Sequence, residues 1–214
     1  MLVVFDLDGT VTRRDSMLPF VFRWLARRPR RWWRLPLVLP RLLQFALGRA
    51  DRGDLKGELL HVTLGGQSRT SVDTWARGFV RELIATGLFP DALQKVQFHR
   101  SAGHTLVLMS ASVDCYVPLV ARELGFDDAV CTGVRWLADG RLDGRLASPN
   151  CRGVEKLRQL RRLRERLHPG EIWAYGNSRA DLVHMMEVTR GFYVNGSPQD
   201  VPASATHIEC VRWV

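Results

Sequence analysis

The chain opens on a continuously apolar run, Leu2-Val3-Val4-Phe5, that ends at two acids one residue apart, Asp6 and Asp8, followed by Gly9 and Thr10. An apolar strand with no polar alternation has no wet face, so residues 2–6 read as a strand at the centre of a parallel sheet covered on both sides. On an extended chain, residues i and i+2 point the same way, which lets Asp6 and Asp8 share one pocket. Two carboxylates packed together repel unless a cation joins them, and magnesium, which takes hard oxygen ligands, suits that role. Gly9 permits a sharp exit from the strand, and Thr10 offers a hydroxyl or a backbone N–H. The ordinary alternative for the same five residues is a surface turn carrying two acids.

The order of elements along the rest of the chain decides between these readings. Residues 15–86 read as mainly helical, broken at Pro29, Pro36, Pro40, Gly48, Gly53 and Gly65–Gly66. Alternation of helix and strand resumes near Phe89, with a helix over Pro90–Ser101 and a strand over Thr105–Met109. A helix over Val113–Glu123, stopped by Gly125, and a short strand over Ala129–Thr132 come next. Val134–Leu137 and Arg141–Leu146 form a hairpin turning at Asp139-Gly140. A helix over Gly153–Leu167 carries an apolar stripe at Val154, Leu157, Leu160, Leu163 and Leu167. Then come a strand over Glu171–Tyr175, a helix over Ala180–Glu187, a strand over Gly191–Val194 and an edge strand near His207–Val211.

This order gives an α/β fold with a Rossmann-like parallel sheet core, residues 1–14 and 87–214, and an inserted helical cap, residues 15–86. Right-handed crossovers bring the C-terminal strand ends to one side of the sheet, where ligands collect. Asp6, Ser110 and Asn177 all fall at, or just past, such ends. A chain of 214 residues that is 46% apolar can bury a core, which excludes a disordered chain. Cys115, Cys131, Cys151 and Cys210 are far apart, without CxxC spacing, and read as reduced thiols of a cytosolic protein. The first residues lack the basic end and longer apolar run of a signal peptide.

The segment Asp6–Thr10 resembles the first motif of the haloacid-dehalogenase-like phosphohydrolase superfamily. The resemblance continues in chain order through Ser110, Lys156 and the run Gly176-Asn177-Ser178-Arg179-Ala180-Asp181. The helical insertion after the first motif is similar to the cap of the phosphoserine-phosphatase-like branch. The resemblance implies a magnesium-dependent phosphomonoesterase in which Asp6 is the nucleophile and forms an aspartyl phosphate. It implies that Asp8 is the general acid and then the base, Ser110 a phosphate-binding hydroxyl, and Lys156 the cation between Asp6 and the phosphoryl oxygens. Thr10, Ala111 and Ser112 are further substrate-contacting candidates; Ser112 can instead cap the following helix. Asp6, Asp8 and Asn177 are the expected magnesium ligands, with Asn177 also near substrate. Asp181 either holds the ion through water or orients Asn177 and Lys156. Many relatives carry aspartate where this chain has Asn177, so weaker magnesium affinity is expected.

Substrate choice falls to the cap. Asp15 stands where serine-phosphate phosphatases usually carry a glutamate for the substrate amine; it can equally cap the next helix. Arg13 and Arg14 can reach an anionic substrate or cover the seam between cap and core. Eight arginines and no acid lie between Ser16 and Ala50, interleaved with Trp24, Trp32, Trp33 and an aliphatic run to Leu47. That mixture suits either an interfacial element facing anionic lipid or a cap core with a basic surface. The stretch Arg27–Pro40 is similar to the insertion of the bacterial phosphatidylglycerophosphatase C family. That similarity implies a membrane lipid phosphate as substrate, such as phosphatidylglycerophosphate, and a cytoplasmic protein peripheral to the inner face of the membrane. A soluble phosphatase for phosphoserine or another small phosphomonoester is the alternative, and a catalytically reduced phosphate-binding protein the third reading. No nucleic-acid partner is expected, because the basic block lacks a recognition module.

Overall fold

The computed structural model describes residues 1–214. Six strands form one sheet in the order β3-β2-β1-β6-β7-β8. They are β1 (Leu2–Phe5), β2 (Thr105–Val113), β3 (Asp128–Thr132), β6 (Ile172–Gly176), β7 (Arg190–Val194) and β8 (Ile208–Val211), and every pairing between neighbours is parallel. The apolar opening run explains the central place of β1: all four of its residues are buried, with β2 and β6 paired on either side.

Its side chains alternate between two cores. Val3 and Phe5 face one apolar cluster with Leu106, Leu108 and Tyr175. Leu2 and Val4 face the other, with Val107 and Met109. There they meet Leu160 and Leu163 of α7 (Val154–Leu167) and Leu182 and Met185 of α8 (Arg179–Met185). Each such buried side chain contributes about 1.5–3 kcal/mol relative to exposure.

Between β1 and α5 (Pro90–Ser101) the chain is helical: α1 (Met17–Ala26), a 3-10 helix (Pro29–Val38), α2 (Leu39–Ala46), α3 (Arg52–Leu64) and α4 (Arg69–Thr86). Helix α1 buries Met17, Phe20, Val21, Trp24 and Leu25, and α4 buries Val72, Trp75, Ala76, Phe79 and Val80, the same i, i+3, i+4, i+7, i+8 stripe on both. The stripes meet through Phe20–Phe79 and Trp24–Trp75, with ring centroids 5.2 and 5.7 Å apart. Tyr116 of the core reaches Phe20 at 4.7 Å, anchoring these helices above the sheet. Trp24 is therefore a core residue and not part of any interfacial element. By contrast, neither the 3-10 helix nor α2 buries a single residue.

The hairpin β4 (Val134–Trp136) and β5 (Leu142–Leu146) lies against α3. Gly144, at φ +90°, permits the contact, since a Cβ there would stand 2.5 Å from the His61 backbone nitrogen. Helix α6 (Val117–Leu124) starts four residues later than its apolar pattern implies. In α7 the expected stripe holds only in the middle: Val154 and Leu167 are exposed, and the first turn buries Glu155 and Lys156 instead. That turn points at a polar site, so its inward positions are charged.

Two buried histidines set an acid limit on the fold. His99 lies between Tyr175 Oη (3.0 Å) and His104 Nδ1 (2.9 Å), and burial lowers it to about 4. His184, whose Nδ1 has no partner, is lowered by burial to about 3 from an ordinary 6.5. Both are neutral when folded but take protons readily when unfolded, so stability is present above pH 6.5 and drains as pH falls toward the folded values. Each contributes up to about 1.4 kcal/mol per pH unit in that window. Urea unfolding at pH 7 and pH 5 should show a smaller loss in a His184→Met variant than in the parent; an identical loss would contradict this assignment.

Candidate active site

The site is assembled at the C-terminal edge of the sheet. Asp6 leaves β1 with its N–H still bonded to the Tyr175 carbonyl of β6 (2.9 Å). The chain then turns tightly, with the N–H groups of Thr10, Val11 and Thr12 all aimed at the Leu7 carbonyl. Gly9, at φ +83°, makes that turn, and a Cβ there would lie 2.0 Å from Asn177 Nδ2. Strain and clash act together at this one position. Gly9→Ala should displace Asn177 and lower turnover about tenfold or more while the fold persists. Saturating magnesium should restore part of it; full activity in this variant would show that Asn177 need not be held there.

Lys156, nearly fully buried at the start of α7, bridges two acids. Its Nζ is 2.6 Å from Asp6 Oδ1 and 2.6 Å from Asp181 Oδ1. The second Asp6 oxygen accepts only from Thr10 Oγ1, at 3.1 Å. Asp181 is held by a capping box at the start of α8: its Oδ2 accepts from Ser178 N (3.0 Å) and Ser178 Oγ (2.6 Å). Gly176 lets Asp181 approach, because a Cβ there would meet the Asp181 Cβ at 2.6 Å. Asp181 thus ties Lys156 to the first turn of α8.

The charges respond accordingly. Burial lifts Asp6 to about 7, with Lys156 opposing and the neighbouring Asp181 and Asp8 reinforcing. For Asp181 burial pushes the same way, but Lys156, His184 and the hydrogen bonds overcome it and hold its carboxyl below the usual range. Burial works against the Lys156 ammonium too, yet its two carboxylates hold it charged well above the ordinary lysine range.

Asp8 sits in a cradle of hydroxyls. Its Oδ1 accepts from Ser16 N (2.7 Å) and Ser16 Oγ (2.5 Å), and its Oδ2 from Ser112 Oγ (2.6 Å) and, at 3.4 Å, Ser110 Oγ. Burial raises Asp8 above the ordinary aspartate value against these hydrogen bonds. Ser110 and Ser112 share this face because β2 runs on to Val113, beyond the expected end at Met109. A register shift against β3 between Met109 and Val113 accommodates the extra length. Ser112 therefore lies within a strand and caps no helix, and its N–H donates to Ser110 Oγ at 2.9 Å.

Ala111 points its carbonyl the other way, accepting from Thr132 Oγ1 (2.7 Å) and from Lys56 Nζ (2.5 Å). Lys56 comes from α3, donates also to Asn150 Oδ1 (2.7 Å), and is lowered by burial to about 8. Sequence reasoning missed both Lys56 and Asn150. The available signal was that Lys56 is one of three lysines in a chain that otherwise uses arginine. Asp15 is exposed at the rim, where its Oδ2 accepts from Leu18 N at 2.9 Å, so it caps the first turn of α1.

Asp6, Asp8, Asp15, Ala111, Ser112, Lys156, Asn177 and Asp181 all line one cavity of about 780 Å³. Thr10 and Ser110 are buried just behind it. No group of three His, Cys, Asp or Glu side chains is arranged around an ion position. A second Asp6 oxygen with one hydroxyl partner, and the Asn177 amide beside Gly9, do face the cavity. Two oxygen donors plus water suit magnesium, which keeps several waters in protein sites, and a cation there would offset the charge that burial makes unfavourable on Asp6. The Asp8 carboxylate, which lines the same cavity, accepts three hydroxyls and one backbone N–H.

The chain is 35% identical over 161 residues to protein CicA of Caulobacter vibrioides, which covers 75% of this chain and 71% of that protein. A probable phosphatase of Mycobacterium tuberculosis is 27% identical over 197 residues, covering 89% of this chain and 67% of its own length. Among solved structures, a Bordetella pertussis protein of unknown function aligns with 92% of this chain and 91% of its own at 24% identity and a TM-score of 0.77. A phosphoserine phosphatase in a phospho-aspartyl intermediate analogue form aligns with 98% and 92% at 14% identity and a TM-score of 0.65, a likeness of fold. The haloacid dehalogenase-like hydrolase family matches over residues 3–186, and this chain belongs to it.

Proposed function

We propose that this hydrolase is a magnesium-dependent phosphomonoesterase that works through a phosphorylated Asp6. The observation that carries the reading is the Lys156 bridge from Asp6 to Asp181, with the hydroxyl-bound Asp8 lining the same cavity. The relative from Mycobacterium tuberculosis is described as a probable phosphatase, and the phosphoserine phosphatase fold is shared along nearly the whole chain. Residues 1–14 and 87–214 form the catalytic core in this reading, and 15–86 the cap.

Asp6 attacks phosphorus in line with the leaving oxygen, and Asp8 protonates that oxygen as it departs. The raised Asp8 value favours the acid form needed for this step. Asp8, now a carboxylate, takes a proton from the water that attacks the acyl phosphate. Phosphate leaves and Asp6 is regenerated. Lys156 fixes the Asp6 carboxylate and meets the phosphoryl oxygens, while Ser110 holds Asp8 and the substrate phosphate. Magnesium held by Asp6 and Asn177 would neutralise phosphoryl charge as the carboxylate approaches.

For the substrate we favour a membrane lipid phosphate such as phosphatidylglycerophosphate. No helix is long and apolar enough to cross a membrane. The 3-10 helix and α2 nevertheless expose Trp33 (72%), Leu43 (61%), Trp32, Leu37, Leu39, Leu42 and, just beyond, Leu47. The arginines of this block divide into two sets. Arg28 stacks over Trp24 and Arg27 over Trp75, Arg31 donates to the Thr63 and Gly65 carbonyls, and Arg23 pairs with Glu82. Arg30, Arg34, Arg41 and Arg49 make no ion pair, Arg41 donating only to Gln44 Oε1 on its own helix. A face of indole, leucine and unpaired arginine suits a peripheral position on the cytoplasmic leaflet.

The smaller-substrate alternative would use Asp15 for an amine, but Leu18 N already occupies one of its oxygens. Magnesium-dependent phosphate release should therefore favour phosphatidylglycerophosphate in mixed micelles over phosphoserine in solution. A strong preference for phosphoserine would overturn the lipid assignment and leave the phosphatase reading standing.

A further inference from the structure

Helix α2 is held far less firmly than the helices around it. The two linkers between the sheet and the helical segment are fastened to each other: Arg13 N donates to Gly87 O (2.8 Å) and Phe89 N to Val11 O (3.1 Å). The start of α1 is fixed where Ser16 Oγ meets Tyr116 Oη at 2.8 Å. Helix α3 is fixed by Lys56 on the Ala111 carbonyl and by His61 Nδ1 against Asp143 O at 2.6 Å. The side chains of α2 make a single hydrogen bond, from Arg41 to Gln44 within the helix itself. Pro36 and Pro40 interrupt the backbone ladder at its start, and it stops at Gly48, φ +69°, with no atom within 4 Å of a Cβ position.

The faces of α2 give a direction to any movement. At about 100° per residue, Leu42, Ala46, Leu39, Leu43 and Leu47 form one exposed apolar arc of about 140°. Phe45 stands only about 60° beyond Leu42, yet it is turned inward, half-buried, and lines the active-site cavity with Leu18 and Leu55. A roll of that size frees the cavity wall at Phe45 and adds its ring to the arc. Water favours the seated position, where the ring is partly covered. An apolar surface favours the rolled one, because it then buries one more aromatic side chain.

Charge identifies that surface. Arg30, Arg34 and Arg49 flank α2 without ion pairs, and no acid occurs from Ser16 to Ala50. A second copy of the chain would press this acid-free block against itself. An anionic lipid layer instead meets arginine with phosphate and leucine with acyl chain.

Resting on the phosphomonoesterase reading, we propose that α2 is a gate worked by an anionic lipid surface. Seating its leucines in the interface rolls Phe45 out of the cavity and raises turnover even of a substrate that is not a lipid. The other helices of the segment stay fastened throughout.

The test uses p-nitrophenyl phosphate, a soluble phosphomonoester, with the full-length protein and magnesium. Phosphatidylglycerol vesicles, which contain no phosphomonoester, should raise kcat/KM about fivefold over vesicle-free buffer, and phosphatidylcholine vesicles should not. Leu43→Asp combined with Leu47→Asp, both at exposed positions, should abolish sedimentation with the vesicles and bring that ratio to one. Phe45→Ala should act in the opposite sense, raising the rate without vesicles so that the ratio again falls. Vesicle binding with no change in rate would overturn the gate, as would activation that survives either change in full. Neither binding nor activation, with nitrophenol still released, would overturn the gate and the lipid-facing surface and leave the phosphatase reading standing. No release under any condition would overturn both.

Discussion

Asp6→Asn is expected to reduce phosphate release by about four orders of magnitude or more while leaving the fold in place. The amide is nearly isosteric with the carboxylate and keeps an oxygen for Lys156, while its NH2 can donate to the Thr10 hydroxyl, but it is a far weaker nucleophile toward phosphorus. The parent should also be captured by beryllofluoride, which mimics a phosphoryl group on a carboxylate, and the variant should not. Circular dichroism and thermal unfolding would separate a dead enzyme from an unfolded one. Full turnover by the variant would remove Asp6 from the nucleophile role.

Lys156→Met should have the largest effect on stability. The lysine is bonded at 2.6 Å to each of two buried carboxylates, and methionine fills a comparable volume without the charge. Breaking a buried pair from one side leaves the partner charge uncompensated, at a cost of about 3–5 kcal/mol. In a chain of this size that lowers the unfolding midpoint on the order of 10 °C. The sign with pH comes from Asp6, which burial has already lifted to about 7. As pH falls below that value Asp6 becomes neutral, so the deficit should be smaller at pH 5 than at pH 8. Adding Asp181→Asn to Lys156→Met removes one of the two orphaned charges and should recover part of the loss. A Lys156→Met protein as stable as the parent at pH 8 would contradict the electrostatic role given to this lysine.

Much of this site was legible in the sequence because it depends on local order. The apolar run of β1 sets its central position, and the spacing of Asp6 and Asp8 needs only an extended chain. The Asn177–Asp181 segment likewise announces a strand end followed by a helix start. Lys156 was different: its helix is rich in arginine, and only the family resemblance picked it out. The Ser110–Ser112 strand extension was not legible because it depends on a register shift against β3, a non-local event. Lys56 was hidden for a related reason. A lysine on an amphipathic helix ordinarily faces water, and only the placement of α3 over Ala111 shows that this one does not. The basic block looks like one feature in the sequence, but packing divides it into arginines that stack on or bond to the helical segment and arginines that make no ion pair.

One covalent bond, between Asp6 and a transferred phosphoryl group, carries the proposed mechanism. Turnover with a phosphomonoester and magnesium can be stopped in acid, which preserves an acyl phosphate, and the protein reduced with borohydride and mapped by peptide mass. Conversion of the side chain at position 6 to homoserine, dependent on substrate and magnesium, is the expected result. Steady turnover with no modification at that position, or with the label on another side chain, would contradict it.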